Sequence, residues 1–243
     1  MDEDTSALER VMLPERRPPA QSQRTGEPCD AGSMSADPGL GEVAIVDYGI
    51  GNLGSLANAL ERLEYRPVLV DEPQRLVDFD RVILPGVGHF GACALRVRQT
   101  GFEPALVERV QEGRWLLGIC VGMQLLFEGS DESEIPGLSL LSGKVERMSK
   151  VVRLPEMQWN QLVFDGARHP VFARSSGDVW VYFVHSYAVR ESQHAIAWED
   201  YGLRYVAAVA KGPLLGVQFH PEKSGKSGLR VLAGALNLEG EGV

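Results

Sequence analysis

Gly118-Ile119-Cys120-Val121-Gly122-Met123-Gln124 lies between two apolar runs, Trp115-Leu116-Leu117 before it and Leu125-Leu126-Phe127 after it. The pattern predicts a strand over Trp115–Ile119, a sharp turn at Cys120 and a helix continuing through the second apolar run. Glycines two before and two after the cysteine let such a turn close without Cβ clashes, so that the sulfur stands at the head of the strand. The first N–H groups of the following helix then point at the sulfur, where they can favour a thiolate and hold a developing oxyanion.

A nucleophile of this kind needs a base. Near the C-terminus stands Gly216-Val217-Gln218-Phe219-His220-Pro221-Glu222-Lys223-Ser224. Leu214–Phe219 reads as a strand with His220 at its end. Residues two apart in an extended chain face the same side, so Glu222 can hold one ring nitrogen of His220 and leave the other for the thiol. A lone strand-end histidine is ordinarily structural. One followed by Pro and Glu, in a chain that also carries a cysteine elbow, reads as the base of a triad with Cys120 as nucleophile and Glu222 as orienter.

The rest of the chain gives these two segments a frame. Val43–Asp47, Pro67–Val70 and Arg81–Leu84 read as strands, and Ser55–Leu63 and Phe102–Gln111 as helices. This alternation predicts an α/β fold, a three-layer open mixed sheet that is mostly parallel. Val145–Met148, Val179–Val184, Ala195–Trp198 and Tyr205–Val209 follow with few helices between them. They read as extra antiparallel strands and not as a second domain. A helix over Gly228–Leu238 closes the pattern.

The chain has 243 residues and a formal net charge of -9, which argues against a general nucleic-acid or anionic-membrane binder. Cys29, Cys93 and Cys120 have neither metal-ligand spacing nor even pairing, so no metal is expected and a reduced cytoplasmic location is. No apolar run is long enough for a bilayer span. Residues 1–40 are rich in Pro, Ser, Gly and charge and read as a disordered extension. A start at Met34 is the alternative. Residues 41–243 form the expected domain. Trp115, Trp180 and Trp198 sit in apolar runs and read as core. His89 reads as a cap or a solvent-facing residue and Cys93 as a small helix residue.

One motif competes. Gly49-Ile50-Gly51-Asn52-Leu53-Gly54 follows the first strand, and Asp71 ends the second. On these features alone a dinucleotide-binding enzyme is a fair reading, but it leaves Cys120, His220 and Glu222 unexplained.

The elbow and the Gln218–Ser224 run resemble the class I, triad-type glutamine amidotransferases. Val46-Asp47-Tyr48-Gly49-Ile50-Gly51-Asn52-Leu53, Leu84-Pro85-Gly86-Val87-Gly88, Met157-Gln158-Trp159-Asn160 and Tyr182-Phe183-Val184-His185-Ser186-Tyr187 further resemble the glutaminase subunit of imidazole glycerol phosphate synthase in histidine biosynthesis. Residues 42–238 carry the resemblance. It implies a class I glutaminase (flavodoxin-like) fold, no cofactor, and a heterodimer with a β/α-barrel cyclase that receives ammonia from glutamine. It implies an oxyanion hole from the N–H groups of Val87 and Val121. It implies glutamine contacts from Gly88, Gln124, Glu132 and the backbone of His185, Ser186 and Tyr187. Glu132, flanked by Asp131 and Glu134, reads equally as a solvated acid. Trp159, Asn160 and Tyr182 match positions near the cyclase. The family's opening loop is not a dinucleotide site, which sets the competing motif aside. The Tyr-Phe-Val-His-Ser-Tyr and Met-x-Trp-Asn runs speak against an anthranilate synthase glutaminase, and the intact triad against a silent binding module. Glu156 and Gln158 stand where many relatives have a His or Gln and a Gly, so this stretch departs from the family as a loop of altered geometry.

Overall fold

The structure, a computed structural model, describes residues 41–238. The extension, Cys29, Met34 and the last five residues of the expected domain lie outside the described residues.

In chain order the elements are β1 (Glu42–Val46), α1 (Leu53–Glu61), β2 (Arg66–Val70), β3 (Arg81–Leu84), α2 (Phe90–Gln99), α3 (Phe102–Gln111), β4 (Leu116–Ile119), α4 (Val121–Gln124), β5 (Gly129–Ser130), β6 (Lys144–Arg147), β7 (Glu156–Gln161), β8 (Trp180–His185), β9 (Tyr187–Val189), β10 (Ala195–Tyr201), β11 (Leu203–Lys211), β12 (Leu214–Val217) and α5 (Gly225–Leu236). Seven strands form one sheet in the order β10-β11-β12-β4-β3-β1-β2. The contacts from β12 to β2 are parallel, whereas β10 and β11 add an antiparallel edge. Every residue from Val43 to Val46, from Leu116 to Ile119 and from Leu214 to Val217 is buried. Because successive side chains point to opposite faces, both faces of the sheet are covered, which is why these strands read as continuous apolar runs.

Two small sheets, β5-β6-β9 and the β7-β8 hairpin, supply the additional strands. β7 is a strand where the sequence suggested a loop. Glu156-Met157-Gln158-Trp159-Asn160-Gln161 has no β-branched residue, and only its pairing along the whole of β8 makes it one. The elbow helix is also shorter than expected. It ends at Gln124, because the carbonyls of Leu125, Leu126 and Phe127 accept from Leu138, Leu140 and Ser139 and not from a further helical turn. Trp115 is core as expected, but Trp180 and Trp198 are only half-buried, and Trp198 lies under the Arg204 guanidinium.

One buried cation fixes the base of β4. Arg109 is 2% exposed and donates to the carbonyls of Trp115, Leu76, Phe79 and Asp80. Arg109→Leu would leave four carbonyls without that donor. It is expected to cost about 3 kcal/mol, read as a lower urea midpoint at unchanged slope.

Candidate active site

β4 and β12 lie side by side with Gly118 opposite Gly216 and Ile119 opposite Val217. Their C-terminal ends therefore open at the same level, where an open α/β sheet places its ligands. Cys120 follows β4 directly, in a strained backbone conformation with φ of 55°. Its N–H is held by the Val217 carbonyl at 2.8 Å. The strain aims the side chain out of the strand direction and toward the neighbouring chain end.

His220 lies three residues beyond β12. The strand stops at Val217, earlier than the sequence suggested, and Pro221–Lys223 form a 3-10 turn. The His220–Glu222 contact is thus made across the start of a turn and not along an extended chain. It holds all the same, with Nδ1 at 2.8 Å from Glu222 Oε1. The Ser224 hydroxyl donates to the His220 carbonyl at 2.6 Å and accepts from the Tyr182 N–H at 2.9 Å, pinning this turn to β8.

The three expected triad residues converge. His220 is hydrogen-bonded to Glu222 and lines one cavity with Cys120, and Cys120 and His220 are 3% and 2% exposed. Burial alone disfavours the imidazolium. The Cys120 and Glu222 side chains beside it outweigh that penalty and push His220 up to about 10. The folded value lies above the ordinary 6.5, so the imidazolium's contribution to stability is complete below about pH 6.5 and disappears as pH rises through about 10. The stability difference between the native chain and His220→Asn should therefore shrink between about pH 7 and about pH 10.5 in urea titrations. An unchanged difference would contradict the raised value.

The sulfur and imidazole line a cavity of about 340 Å³. All six residues expected to contact glutamine line it too: Gly88, Gln124, Glu132, His185, Ser186 and Tyr187. Glu132 is half-buried, and its Oε2 accepts from the Phe90 N–H at the start of α2 at 2.7 Å. That contact decides against a merely solvated acid. Gln124 is buried and donates to the Tyr187 carbonyl and to Gln218 Oε1. The His185 ring turns inward, with Nδ1 at 3.0 Å from the Tyr187 carbonyl and Nε2 toward Glu156 and Glu199. Lys223 and Pro155 also line the cavity and were not singled out from the sequence. Lys223 was legible only as the residue following Glu222.

The residues of both expected oxyanion donors line the cavity with Cys120, but one N–H is engaged. The Val121 N–H donates to the Gly86 carbonyl at 3.3 Å. Among the expected interface residues, Trp159 and Tyr182 pair across β7 and β8, half-buried with ring centroids 6.3 Å apart, beside the exposed Met157. Asn160 requires correction. It is 1% exposed and binds the Asp200 carbonyl and Glu156, so its side chain is not offered to a partner. The reason is parity: residues 157 and 159 face outward on β7, hence 156 and 160 face inward.

The Gly49–Gly54 loop is not shaped as a dinucleotide cradle. The Arg96 guanidinium packs against Gly49. The third glycine, which in a dinucleotide fold allows close helix packing, here has no neighbour within 4 Å of a Cβ. Tyr48 instead donates to the Pro85 carbonyl and steadies the loop before Val87.

A parallel sheet with a cysteine elbow facing a His-Glu pair across adjacent strand ends defines a glutamine amidotransferase of the triad type. The class-I glutamine amidotransferase family model matches residues 44–234, and the chain belongs to that family. It is 43% identical to the imidazole glycerol phosphate synthase subunit HisH of Symbiobacterium thermophilum, over 80% of this chain and 92% of that one. It is 44% identical to the subunit of that name from a Geobacillus species, over 82% and 99% of the two chains. Within the class, it falls among the HisH subunits. A crystal structure of a glutamine amidotransferase superposes with a TM-score of 0.64 at 25% identity, covering 80% of this chain and 98% of that one. The PurLQS structure from Thermotoga maritima shares the fold, with a TM-score of 0.65 at 20% identity over 81% and 97% of the chains. Among the described residues no helix is long and apolar enough to cross a membrane.

Proposed function

We propose that this chain hydrolyses glutamine with Cys120, His220 and Glu222, and supplies the ammonia to a β/α-barrel cyclase subunit as half of a cytoplasmic heterodimeric imidazole glycerol phosphate synthase. The observation that carries the reading is His220, hydrogen-bonded to Glu222 and facing, with Cys120, a single cavity sized for an amino acid.

In this mechanism the Cys120 thiolate attacks the side-chain carboxamide carbon of glutamine. The imidazolium of His220 gives its proton to the departing nitrogen, which leaves as ammonia, and a glutamyl thioester remains. His220, now neutral, takes a proton from water as the water attacks the thioester. Glutamate leaves and the thiolate–imidazolium pair is restored. Glu222 holds Nδ1 and stabilises the imidazolium throughout. Glu132, with one oxygen held by Phe90, offers the other to the substrate ammonium. The Tyr187 carbonyl already accepts from Gln124 and His185, so Tyr187 serves the substrate through its N–H and its shape.

The negative oxygen of each tetrahedral intermediate needs the N–H groups of Val121 and Val87. With the Val121 N–H held by Gly86, that pair is incomplete until the Gly86–Val87 peptide turns. Gly88, at φ of 83°, is the residue beside it with the backbone freedom to allow this. One missing oxyanion donor is worth roughly 100- to 1000-fold in turnover. Ammonia release by the isolated chain should therefore be weak. It should rise by at least about 100-fold when the cyclase and its ribonucleotide substrate are added. The route for coupling is the β7-β8 hairpin, which presents Met157, Trp159 and Tyr182 outward while Val184 on the same hairpin lines the cavity. Equal ammonia release with and without the cyclase would overturn the coupling.

A further inference from the structure

Behind the glutamine cavity, three strands bring Glu156 of β7, His185 of β8 and Glu199 of β10 to one point. Their ligand atoms all lie within 4.8 Å of one another. Glu156 and Glu199 are 0% exposed and the His185 side chain 3%. His185 Nε2 stands 3.1 Å from Glu199 Oε1 and 3.7 Å from Glu156 Oε2. Four atoms of the cluster are buried without a hydrogen-bond partner: Glu156 Oε2, His185 Nε2 and both carboxylate oxygens of Glu199. Two carboxyl groups and an imidazole are thus sealed from water with four atoms short of a well-formed hydrogen bond.

We propose that Glu156, His185 and Glu199 form a binding site for one divalent transition-metal cation of the Zn²⁺ class, with His185 Nε2, Glu156 Oε2 and Glu199 Oε1 as its donors. Donors about 2.0 to 2.1 Å from a tetrahedral ion stand about 3.3 Å apart, and the observed 3.1 and 3.7 Å bracket that edge. Charge points the same way. Two carboxylates neutralise a dication, so the filled cluster is uncharged in a place where net charge is costly. The outer contacts are those of ligands held in position. His185 Nδ1–H donates to the Tyr187 carbonyl, which leaves Nε2 as the lone-pair donor. Glu156 Oε1 accepts from Gln158 and Asn160, which leaves Oε2 turned inward. The mixed N and O set suits Zn²⁺, Co²⁺ or Mn²⁺ better than Mg²⁺ or Ca²⁺. The ion would tie the β7-β8 hairpin to the antiparallel edge of the main sheet, and so brace the segment from which Ser186 and Tyr187 face the cavity. It would take no part in the amide chemistry.

The test uses the full chain and needs no glutamine. Chelator-stripped protein is titrated with Zn²⁺ by calorimetry, and metal content is measured after dialysis against metal-free buffer. One Zn²⁺ per chain and a raised Tm are expected. Cys120→Ser should keep both, because that sulfur is outside the site. Glu199→Gln should lower the affinity at least about 100-fold, since losing a ligand costs no less than disturbing an outer contact. Should that variant not fold, Glu156→Gln carries the same expectation. Co²⁺ loaded in place of Zn²⁺ should give ligand-field bands without thiolate charge transfer. The proposal is overturned if the native chain retains no metal and shows neither heat nor a Tm rise with Zn²⁺, in which case protons alone fill the cluster. It is equally overturned if binding disappears in Cys120→Ser and persists in Glu199→Gln.

Discussion

Cys120→Ala is expected to lower glutamine hydrolysis at least about 10⁴-fold and to leave the cyclase reaction with added ammonium salts intact. Removing the nucleophile of a unit that works together costs about as much as removing the unit, and what survives comes from binding and oxyanion contacts. Among the described residues no other cysteine is placed to replace it. Cys93, the second free cysteine among the described residues, is buried in α2 with its Sγ on the Val87 carbonyl. The fold should tolerate the change, because one buried sulfur is lost from a site that already borders a cavity. Alanine meets the same φ strain as cysteine there. A loss of about 1 kcal/mol is the expected scale. The measurements are ammonia release from glutamine, cyclase turnover with ammonium salts, and thermal unfolding of the variant. Retained hydrolysis would mean that Cys120 is not the nucleophile. Loss of both activities in a folded variant would contradict the division of labour between subunits.

Gly122→Ala is expected to be the most damaging single-methyl addition at the elbow, lowering stability by about 3 kcal/mol or more. A Cβ there would overlap the Leu84 carbonyl oxygen and stand 2.9 Å from the Leu84 carbonyl carbon and 3.2 Å from that of Pro85. These are backbone atoms at the end of β3, so no side chain can rotate away. Either the elbow or β3 must move, and β3 leads directly into Gly86 and Val87. Any folded fraction should therefore also lose at least about 100-fold in turnover, from a displaced nucleophile and oxyanion loop. Gly54→Ala is the control. It is the same chemical change inside α1, with nothing within 4 Å of the new methyl, and it should be neutral or stabilising by up to about 1 kcal/mol. Urea unfolding of the two variants checks the contrast. Similar losses in both would mean that the elbow is not packed as described.

The dinucleotide reading was open to a test on sequence, but the spacing of its glycines could not settle it. The Gly49–Gly54 spacing satisfies a dinucleotide motif letter by letter. What decides against it is Arg96 at Gly49 and open space at Gly54, two facts about packing that spacing does not contain. The converse holds for elements with a local pattern of their own. Arg81–Leu84 and Phe102–Gln111 match their sequence readings residue for residue, because an apolar run or a helical stripe is a local pattern with a local reading. β7 escaped that approach, since Glu156–Gln161 is a strand only through its partner β8. The elbow helix was overrun for the same reason in reverse: the carbonyls that would have continued it are taken by residues 138–140.

The candidate triad of Cys120, His220 and Glu222 was legible in the sequence alone, because each sits in a short motif whose glycines, proline and order carry their own steric logic. So was the class of sheet that holds them. Only the tertiary structure decided that Asn160 faces inward, that the Val121 N–H is held by Gly86, and that Glu156, His185 and Glu199 meet in one dry cluster. These depend on which faces of separate strands are turned toward each other. That pairing is set by the packing of the whole domain, and no spacing along the chain records it.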